Sequence, residues 1–197
     1  MWNEKGRARH YIYTYGPPNN PKPRYKLRMQ SAAKLIIGDS VLDVGCGIGH
    51  LYPHIKNKVK VYRGIDGSLE MLRLAKKHNP NIDIHVGDAY DLSKERQYDT
   101  VIALSLLIHV PLKDVSKVIN ELWSHCKKAL VFSIALKFPE GSKMVEKPYL
   151  TIITYLSLTT LKSIMRELDA QVVRKIPVGK GAFGYGLGDY FIQAVKD

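Results

Sequence analysis

The stretch that decides the fold of this chain is Val41-Leu-Asp-Val-Gly-Cys-Gly-Ile-Gly-His-Leu51. Its first four residues are largely apolar, which is typical of a buried strand. The alternating glycines that follow predict a tight turn leading into a helix, and a backbone without a Cβ atom lets a ligand approach closely. The stretch therefore predicts a strand, a ligand-binding turn and a helix in succession.

Two later segments place an acidic residue at the end of a predicted strand. They are Gly64-Ile-Asp66 and Val86-Gly-Asp-Ala89. In a nucleoside site, one carboxylate accepts hydrogen bonds from the ribose hydroxyls and a second meets the adenine edge. Together with the glycine turn, these strand ends predict a site for a nucleoside-containing cofactor.

The spacing of the glycines argues against a dinucleotide. The dinucleotide fingerprint is G-x-G-x-x-G, in which the third glycine allows close packing of helix and strand. Gly45 and Gly47 fit, but Gly49 comes one residue early and His50 occupies the fingerprint position. Asp43 adds an acid two residues before the first glycine. This D-x-G-x-G-x-G form disfavours a nicotinamide oxidoreductase.

In these motifs the chain resembles the class I S-adenosylmethionine-dependent methyltransferases, in particular their small-molecule branch. Residues 41–49 resemble the first motif of that family, and residues 64–75 its second strand and following helix. Residues 86–89 resemble the end of its third strand, and residues 98–111 its fourth strand and the loop beyond. The resemblance covers residues 38–135 well and the remainder loosely. It implies S-adenosylmethionine as the cofactor and S-adenosylhomocysteine as the product.

The resemblance implies roles for residues at the strand ends. Gly45 and Gly47 approach the methionine end of the cofactor, and Asp66 holds both ribose hydroxyls. Asp88 accepts a hydrogen bond from the adenine amino group, while the amide of Ala89 donates to the ring.

Four further positions have less specific roles. Asp43 either meets the ammonium of the cofactor or accepts hydrogen bonds from amides of its own loop. Met71 either covers a face of the adenosine or belongs to the core. Leu104 and Ser105 end the fourth strand, where a backbone carbonyl can meet the ammonium.

His109 is the candidate general base. It follows the fourth strand beside the expected cleft, and an amine or hydroxyl acceptor needs a proton removed during transfer. The alternative is a structural histidine that fixes the loop before Pro111. The sequence contains no cluster of carboxylates or cysteines with the spacing of a metal site, so no metal is expected.

Strands and helices alternate from Ser40 onward, which is typical of a parallel sheet with helices on both faces. We therefore predict an α/β, doubly wound, Rossmann-like fold whose mostly parallel seven-stranded sheet has an antiparallel edge strand. The predicted strands are 41–44, 60–65, 82–86, 98–104, 129–134, 171–176 and 189–195. The predicted helices are 23–37, 48–57, 68–78, 90–95, 112–127 and 159–168.

Residues 1–22 differ from the rest of the chain. They are aromatic, basic and rich in proline, and they lack an evident helical period, so we predict an arm or lid before a single domain over residues 23–197. The whole chain carries 30 Lys and Arg against 18 Asp and Glu, a formal net charge of +12. Such an excess favours an anionic partner. An RNA or protein methyltransferase that uses the basic arm is therefore an alternative.

Motifs that the sequence lacks narrow the range of possible methyl acceptors. The fourth strand is not followed by the Asn/Asp-Pro-Pro-aromatic motif of nucleic-acid amine methylases, and there is no Pro-Cys pair for cytosine methylation. We predict transfer to an O, N or C atom of a small molecule that carries negative charge. RNA or protein acceptors stay open, as does a non-catalytic cofactor-binding protein.

The remaining expectations concern the setting of the protein. Residues 1–5 lack the apolar segment of a signal peptide, and no apolar run is long enough to span a membrane. Cys46 and Cys126 offer no disulfide framework. We expect a cytoplasmic protein without a membrane partner, and the sequence gives no indication of oligomeric state.

Overall fold

The computed structural model describes residues 4–136, 142–145, 153–180 and 188–196. In these ranges the helices are α1 (Glu4–Tyr15), α2 (Pro23–Ala33), α3 (Tyr52–Ile55), α4 (Leu69–His78), α5 (Val115–Ser124) and α6 (Leu158–Glu167). The strands are β1 (Ser40–Val44), β2 (Val61–Asp66), β3 (Ile84–Val86), β4 (Tyr98–Ala103), β5 (Cys126–Leu136), β6 (Lys143–Val145), β7 (Ile153–Leu156), β8 (Gln171–Lys180) and β9 (Gly188–Val195). Short 3-10 turns cover Leu107–His109 and Leu112–Asp114.

The sheet has the predicted doubly wound topology. Strands β3, β2, β1, β4 and β5 are parallel neighbours in that order, and β9 and then β8 continue the sheet with antiparallel pairing. The chain moves outward from β1 to β3 and then returns to the other side of β1 with β4. Ligands of such sheets bind beyond the carboxyl ends of the strands at this reversal.

A pair of strands that the sequence analysis did not predict brings the number in the described residues to nine instead of seven. Strand β7 runs parallel to β5, and Ala135 pairs with Tyr155 on one edge and with Asp189 of β9 on the other. Strand β7 thus lies on the edge of β5 that faces β4, beyond the last β4 partner, Phe132. Strand β6 has three residues, which is too short for an alternating pattern to reveal it.

Successive residues of the central strands contribute to two cores. Leu42 of β1 belongs to a buried cluster that includes α5 and α6, whereas Val41 belongs to a cluster that includes α2, α3 and α4. Because adjacent strand residues point to opposite faces, the helices lie on both sides of the sheet, as predicted.

The prediction that the N-terminal arm lacks helix is wrong for Glu4–Tyr15, which form α1. The inward side of α1 consists of residues 8, 11, 12 and 15, which have helical spacing; Ala8 is fully buried and Tyr13 is 78% exposed. The helical period of α1 is not evident in the sequence, because most of its buried contacts are made by alanine and tyrosine instead of large aliphatic residues. The helix ends at Gly16, which has a φ of +81° and donates its amide to Ile12 O at 2.8 Å. The division at residue 22 stays a prediction.

The predicted helix over residues 48–57 is reduced to Tyr52–Ile55. Gly47 and Gly49 adopt φ values of +55° and +79°. This left-handed backbone keeps the chain in turns where the sequence pattern predicted helix.

The predicted helix over residues 90–95 is absent, and the described chain there forms turns. Asp88 Oδ1 accepts the amide of Tyr90 at 3.0 Å, and Asp91 Oδ1 accepts the amide of Ser93 at 2.9 Å. Such local side-chain hydrogen bonds compete with helix formation.

Asp99 joins the amino ends of three strands. Its Oδ2 atom accepts the amides of Asp39 and Ser40 at 3.0 and 3.2 Å and the Ser40 hydroxyl at 3.0 Å, while Lys128 lies 3.1 Å from Oδ1. Partial burial acts to raise the pKa of Asp99, but these donors hold it well below its ordinary value. The carboxylate is therefore bound in its ionised form.

We expect Asp99→Ala to lower the free energy of unfolding by more than about 2 kcal/mol at pH 7, because several hydrogen bonds to a charged group are lost. The difference from the unmodified protein should shrink below about pH 4, where the Asp99 carboxyl of the unfolded chain takes up a proton while the native carboxyl is still ionised. Urea denaturation at several pH values measures both effects. Asp39→Ala removes a carboxylate whose salt bridge to Lys60 is exposed, and this control should cost less than about 1 kcal/mol. Equal losses in the two variants would contradict the assignment.

Candidate functional site

The sheet brings the sequence motifs together at one edge. Asp43 of β1 pairs with Gly64 of β2, and Asp66 at the end of β2 pairs with Val86 of β3. The turns that follow these parallel strands therefore lie side by side at their carboxyl ends. The cofactor motifs predicted from the sequence form one surface.

The glycine turn after β1 is held by β2. The amides of Gly45 and Cys46 donate to Ile65 O at 2.8 and 3.0 Å, and the amide of Gly47 donates to Asp66 Oδ2 at 2.8 Å. Gly45 and Gly47 have φ values of +74° and +55°. A Cβ atom on Gly47 would meet no protein atom within 4 Å. That side of the turn opens onto space that a ligand can fill, which fits the predicted cofactor.

Asp66 positions two segments at once. In addition to the Gly47 amide, its Oδ1 atom accepts the amide of Ser68 at 2.9 Å, and the Ser68 hydroxyl accepts the amide of Met71 to cap α4. The carboxylate is half-buried at the end of β2. Its contact with the ribose hydroxyls stays a prediction.

The predicted adenine side is more open. Asp88 is exposed and lies two residues after β3, with Ala89 half-buried beside it. Met71 is half-buried and packs against Ala8 and Leu74. The structure thus places Met71 in contact with the core between α1 and α4.

Asp43 is 3% exposed and accepts a hydrogen bond from the Tyr62 hydroxyl at 2.8 Å. The alternative in which it accepts from residues 45–47 is wrong, because those amides donate to Ile65 and Asp66. Burial raises the pKa of Asp43 to about 7; the hydrogen bond from Tyr62 opposes this rise and the charge of Asp66 adds to it. Asp43 therefore changes charge near neutral pH.

Ser105, two residues after β4, adopts a left-handed backbone with a φ of +58°. Its amide donates to Ser133 Oγ at 2.6 Å, while Leu104 packs on the side of the sheet that carries α2. His109 is exposed at the end of the 3-10 turn. Its amide donates to Leu106 O at 2.9 Å.

Arg28 is a candidate site residue that the sequence analysis missed. It lies on α2, is 6% exposed, and donates from Nη2 to Ser105 Oγ at 3.2 Å. Its Cζ atom lies 5.0 Å from the centroid of the Phe191 ring. A sequence signal was present, because Arg28 falls on the same helical face as Tyr25 and Ala32, which are buried.

His50 was also missed as an anchor. It is 3% exposed, and its Nε2 atom donates to Gly16 O at 2.8 Å. Burial lowers the pKa of His50 to about 4, against the opposing effect of the Gly16 contact. The rings of Tyr11 and Tyr25 pack against it, and their hydroxyls lie 2.7 Å apart. Tyr15 packs against both of these tyrosines. His50, which occupies the position where the dinucleotide fingerprint has glycine, thus links the N-terminal segment to the glycine turn.

The described parts of the chain contain no group of three or more His, Cys, Asp and Glu side chains arranged to hold a metal ion. Within the same ranges, every helix is too short or too polar to cross a lipid bilayer.

The Asp43 environment predicts how stability depends on pH. An ordinary Asp has a pKa near 3.9, so between about pH 4 and pH 7 the unfolded chain loses a proton that the folded protein keeps. Stability from this group is therefore greatest in acid and falls as pH rises to about 7. Asp43→Asn keeps an acceptor for Tyr62 but carries no charge. We expect the variant to exceed the unmodified protein in stability at pH 8 by roughly 2 kcal/mol or more, an advantage that disappears near pH 4.

Denaturation of the ligand-free proteins at pH 4.5, 6 and 8 measures this difference, and His50 contributes equally to both. Asp39→Asn, at a half-buried site, serves as the control and should show a flat difference. A variant that is less stable than the unmodified protein at pH 8 would contradict the burial argument.

Comparison with known proteins adds family information to this geometry. Residues 41–129 match the family described as "Methyltransferase domain". The magnesium-protoporphyrin O-methyltransferase of Rhodobacter capsulatus is 30% identical over 107 residues, which are 52% of this chain and 47% of that protein. The structure of magnesium protoporphyrin IX methyltransferase from Synechocystis PCC 6803 with bound SAM aligns with a TM-score of 0.71 at 21% identity, over 100% of this chain and 99% of that one. The cyclase SpnF aligns with a TM-score of 0.71 at 14% identity, over 87% and 80%.

The chain spans about half the length of the curated Rhodobacter relative. The two structural matches, at low identity, establish the shared fold, and the family match includes the glycine turn, Asp66 and Asp88. The chain therefore shares the fold of these proteins, and its residues 41–129 are similar to the methyltransferase-domain family.

Proposed function

We propose that this protein transfers the methyl group of S-adenosylmethionine to an O, N or C atom of a small molecule that carries negative charge. The observation that carries the proposal is the glycine turn, which opens onto empty space at Gly47 while its amide is fixed to Asp66. The Rhodobacter relative, named as an O-methyltransferase, supports a small-molecule acceptor. Because a cyclase has a similar fold, methyl transfer itself has to be measured.

The residues present suit the parts of the cofactor, which supplies an activated sulfonium methyl group when bound. Gly47 leaves room for the methionine end, whereas a Cβ atom on Gly45 would meet the side chain of Leu106. Asp66 offers a carboxylate to the ribose. Asp88 and Ala89 lie beside them for the adenine. The chain then has to align the acceptor with the methyl carbon, and positioning alone can contribute about 7–11 kcal/mol.

Arg28 is proposed to hold the carboxylate of the cofactor. Its guanidinium is buried beside Ser105, at the strand end that follows the topological reversal. A charge-assisted hydrogen bond in such a setting is worth roughly 1.5–3 kcal/mol. Asp43 and Asp66 lie on the side of the turn formed by β1 and β2, where they suit the ammonium and the ribose.

We expect Arg28→Met to weaken binding of S-adenosylhomocysteine by roughly 10- to 100-fold. Binding of 5′-methylthioadenosine, which lacks the amino-acid end, should be unchanged and so report an intact adenosine site. Isothermal titration calorimetry measures both ligands. Arg24→Met removes an exposed arginine from the same helix and should affect neither. Equal losses for both ligands would show that Arg28 supports the fold without contacting the carboxylate.

His109 is proposed as the base when the acceptor is an amine or hydroxyl. It is exposed after β4, whereas His50, the histidine beside the glycine turn, is buried and donates to Gly16. We expect His109→Ala to lower kcat by roughly 10²–10⁴ with little change in cofactor affinity. His85→Ala, at an exposed site on β3, is the control. A fall in cofactor affinity and stability with a modest loss of rate would assign His109 to bracing the loop.

Transfer of a tritiated methyl group into separated small-molecule, RNA and protein pools tests the proposed activity, and we expect label in the small molecules. No label in any pool would favour a non-catalytic cofactor-binding protein. A specific observation favours RNA as the second candidate: a groove between α1 and α4 is lined by Arg9, Arg73 and Lys77, although Glu70 binds Arg73. Label in RNA together with steeply salt-dependent binding would establish that alternative.

Both cysteines are free and buried. This state supports the proposal of a reducing, cytoplasmic setting.

A further inference from the structure

A cavity lies away from the glycine turn, between α6 and the β8–β9 pair. Its volume is about 620 Å³, within the range of sites that hold small organic ligands. Ile192 of β9 lines it, whereas the neighbouring Phe191 packs in the cluster that includes α2 and contacts Arg28. Since adjacent strand residues point to opposite faces, the cavity and Arg28 lie on opposite sides of the sheet.

The floor of this cavity is apolar. Leu158 and Ala170 are half-buried and Val172 is 42% exposed, so these three lining residues offer apolar surface to a ligand. Leu161 and Met165, which also line the cavity, are each 3% exposed and belong to the large core cluster on that side of the sheet. An apolar chain that binds against this floor buries its surface away from water, so its affinity should rise with chain length.

The rim carries an excess of positive charge. Lys162 and Arg166 lie one turn apart on α6, and both are exposed. Lys175 comes from β8, and its Nζ atom lies 5.0 Å from the centroid of the Tyr190 ring. Asp169 is the single carboxylate among the lining residues identified in the described chain. Cations on both rims of an apolar floor complement a ligand with a negative head and an apolar body.

We propose that this cavity binds an amphipathic carboxylate, an acyl chain with one anionic head, at a site separate from the methyl-transfer cleft. The chain lies along Leu158, Ala170 and Val172, and the head meets the lysines of the rim. A neutral alcohol of equal length fits the floor equally well but gains nothing from the rim. The charge of the head is therefore the property that the site selects.

Calorimetry with hexanoate, octanoate and decanoate, below their micelle concentrations, tests the proposal on the full chain. We expect affinity to rise about threefold per added methylene, and 1-octanol to bind at least 10-fold more weakly than octanoate. Octylamine should bind more weakly still. Affinity that is independent of chain length, or equal for octanol and octanoate, would overturn the proposal.

Variants locate the site. The double variant Lys162→Gln, Lys175→Gln should weaken octanoate at least 10-fold, while the charge-matched control Lys113→Gln, Lys127→Gln, at exposed positions elsewhere, should not. Both variants should keep the melting temperature of the unmodified protein. Unchanged octanoate affinity in the first double variant, or binding to anionic phosphatidylglycerol vesicles with none to octanoate, would overturn it.

Saturation with octanoate should leave the affinity for S-adenosylhomocysteine unchanged. This measurement distinguishes the two proposals. A protein that fails to bind S-adenosylhomocysteine but binds octanoate would contradict the methyltransferase function and support the cavity site. Competition between the two ligands would instead place octanoate in the cofactor cleft and contradict the separate site.

Discussion

The geometry of the candidate site depends on the hydrogen bonds that the carboxylate of Asp66 accepts. One oxygen accepts the amide of Gly47 and the other accepts the amide of Ser68, so a single side chain sets the glycine turn against the start of α4. Ile65 O adds the amides of Gly45 and Cys46. The end of β2 therefore acts as the template on which the turn after β1 is built. The turn can follow it because its glycines adopt left-handed backbone conformations that other residues rarely tolerate.

The charges around this turn are arranged in a pattern that suits a zwitterion. Asp43 and Asp66 lie on the side formed by β1 and β2, and Arg28 lies with Ser105 at the end of β4. Asp43 is buried with Tyr62 as a donor, and its pKa of about 7 reflects the cost of ionising it there. A ligand with a positive group beside these acids would favour the ionised form. The proposed cofactor has such a group and a carboxylate for Arg28.

The parts of the fold that were predictable from the sequence are those determined by local patterns. Strands β1 and β2 and their acids follow from apolar runs that stop at glycine or aspartate, and β4 follows from a longer apolar run. Helix α1 was missed because its contacts use Ala8, Tyr11 and Tyr15, and β6 because three residues carry no period. Other features depend on partners distant in the chain. The Tyr62 hydroxyl donates a hydrogen bond to Asp43, and His50 donates one to the carbonyl of Gly16. Neither partner can be predicted from the residues around Asp43 or His50.

The most direct test of the account is equilibrium binding of S-adenosylhomocysteine and of NAD to the unmodified protein, measured by calorimetry under identical conditions. The glycine spacing, His50 in place of the fingerprint glycine and the position of Asp66 predict one molecule of S-adenosylhomocysteine per chain, bound at least 10-fold more tightly than NAD. Absence of S-adenosylhomocysteine binding, or tighter binding of NAD, would contradict the central claim that this cleft holds S-adenosylmethionine.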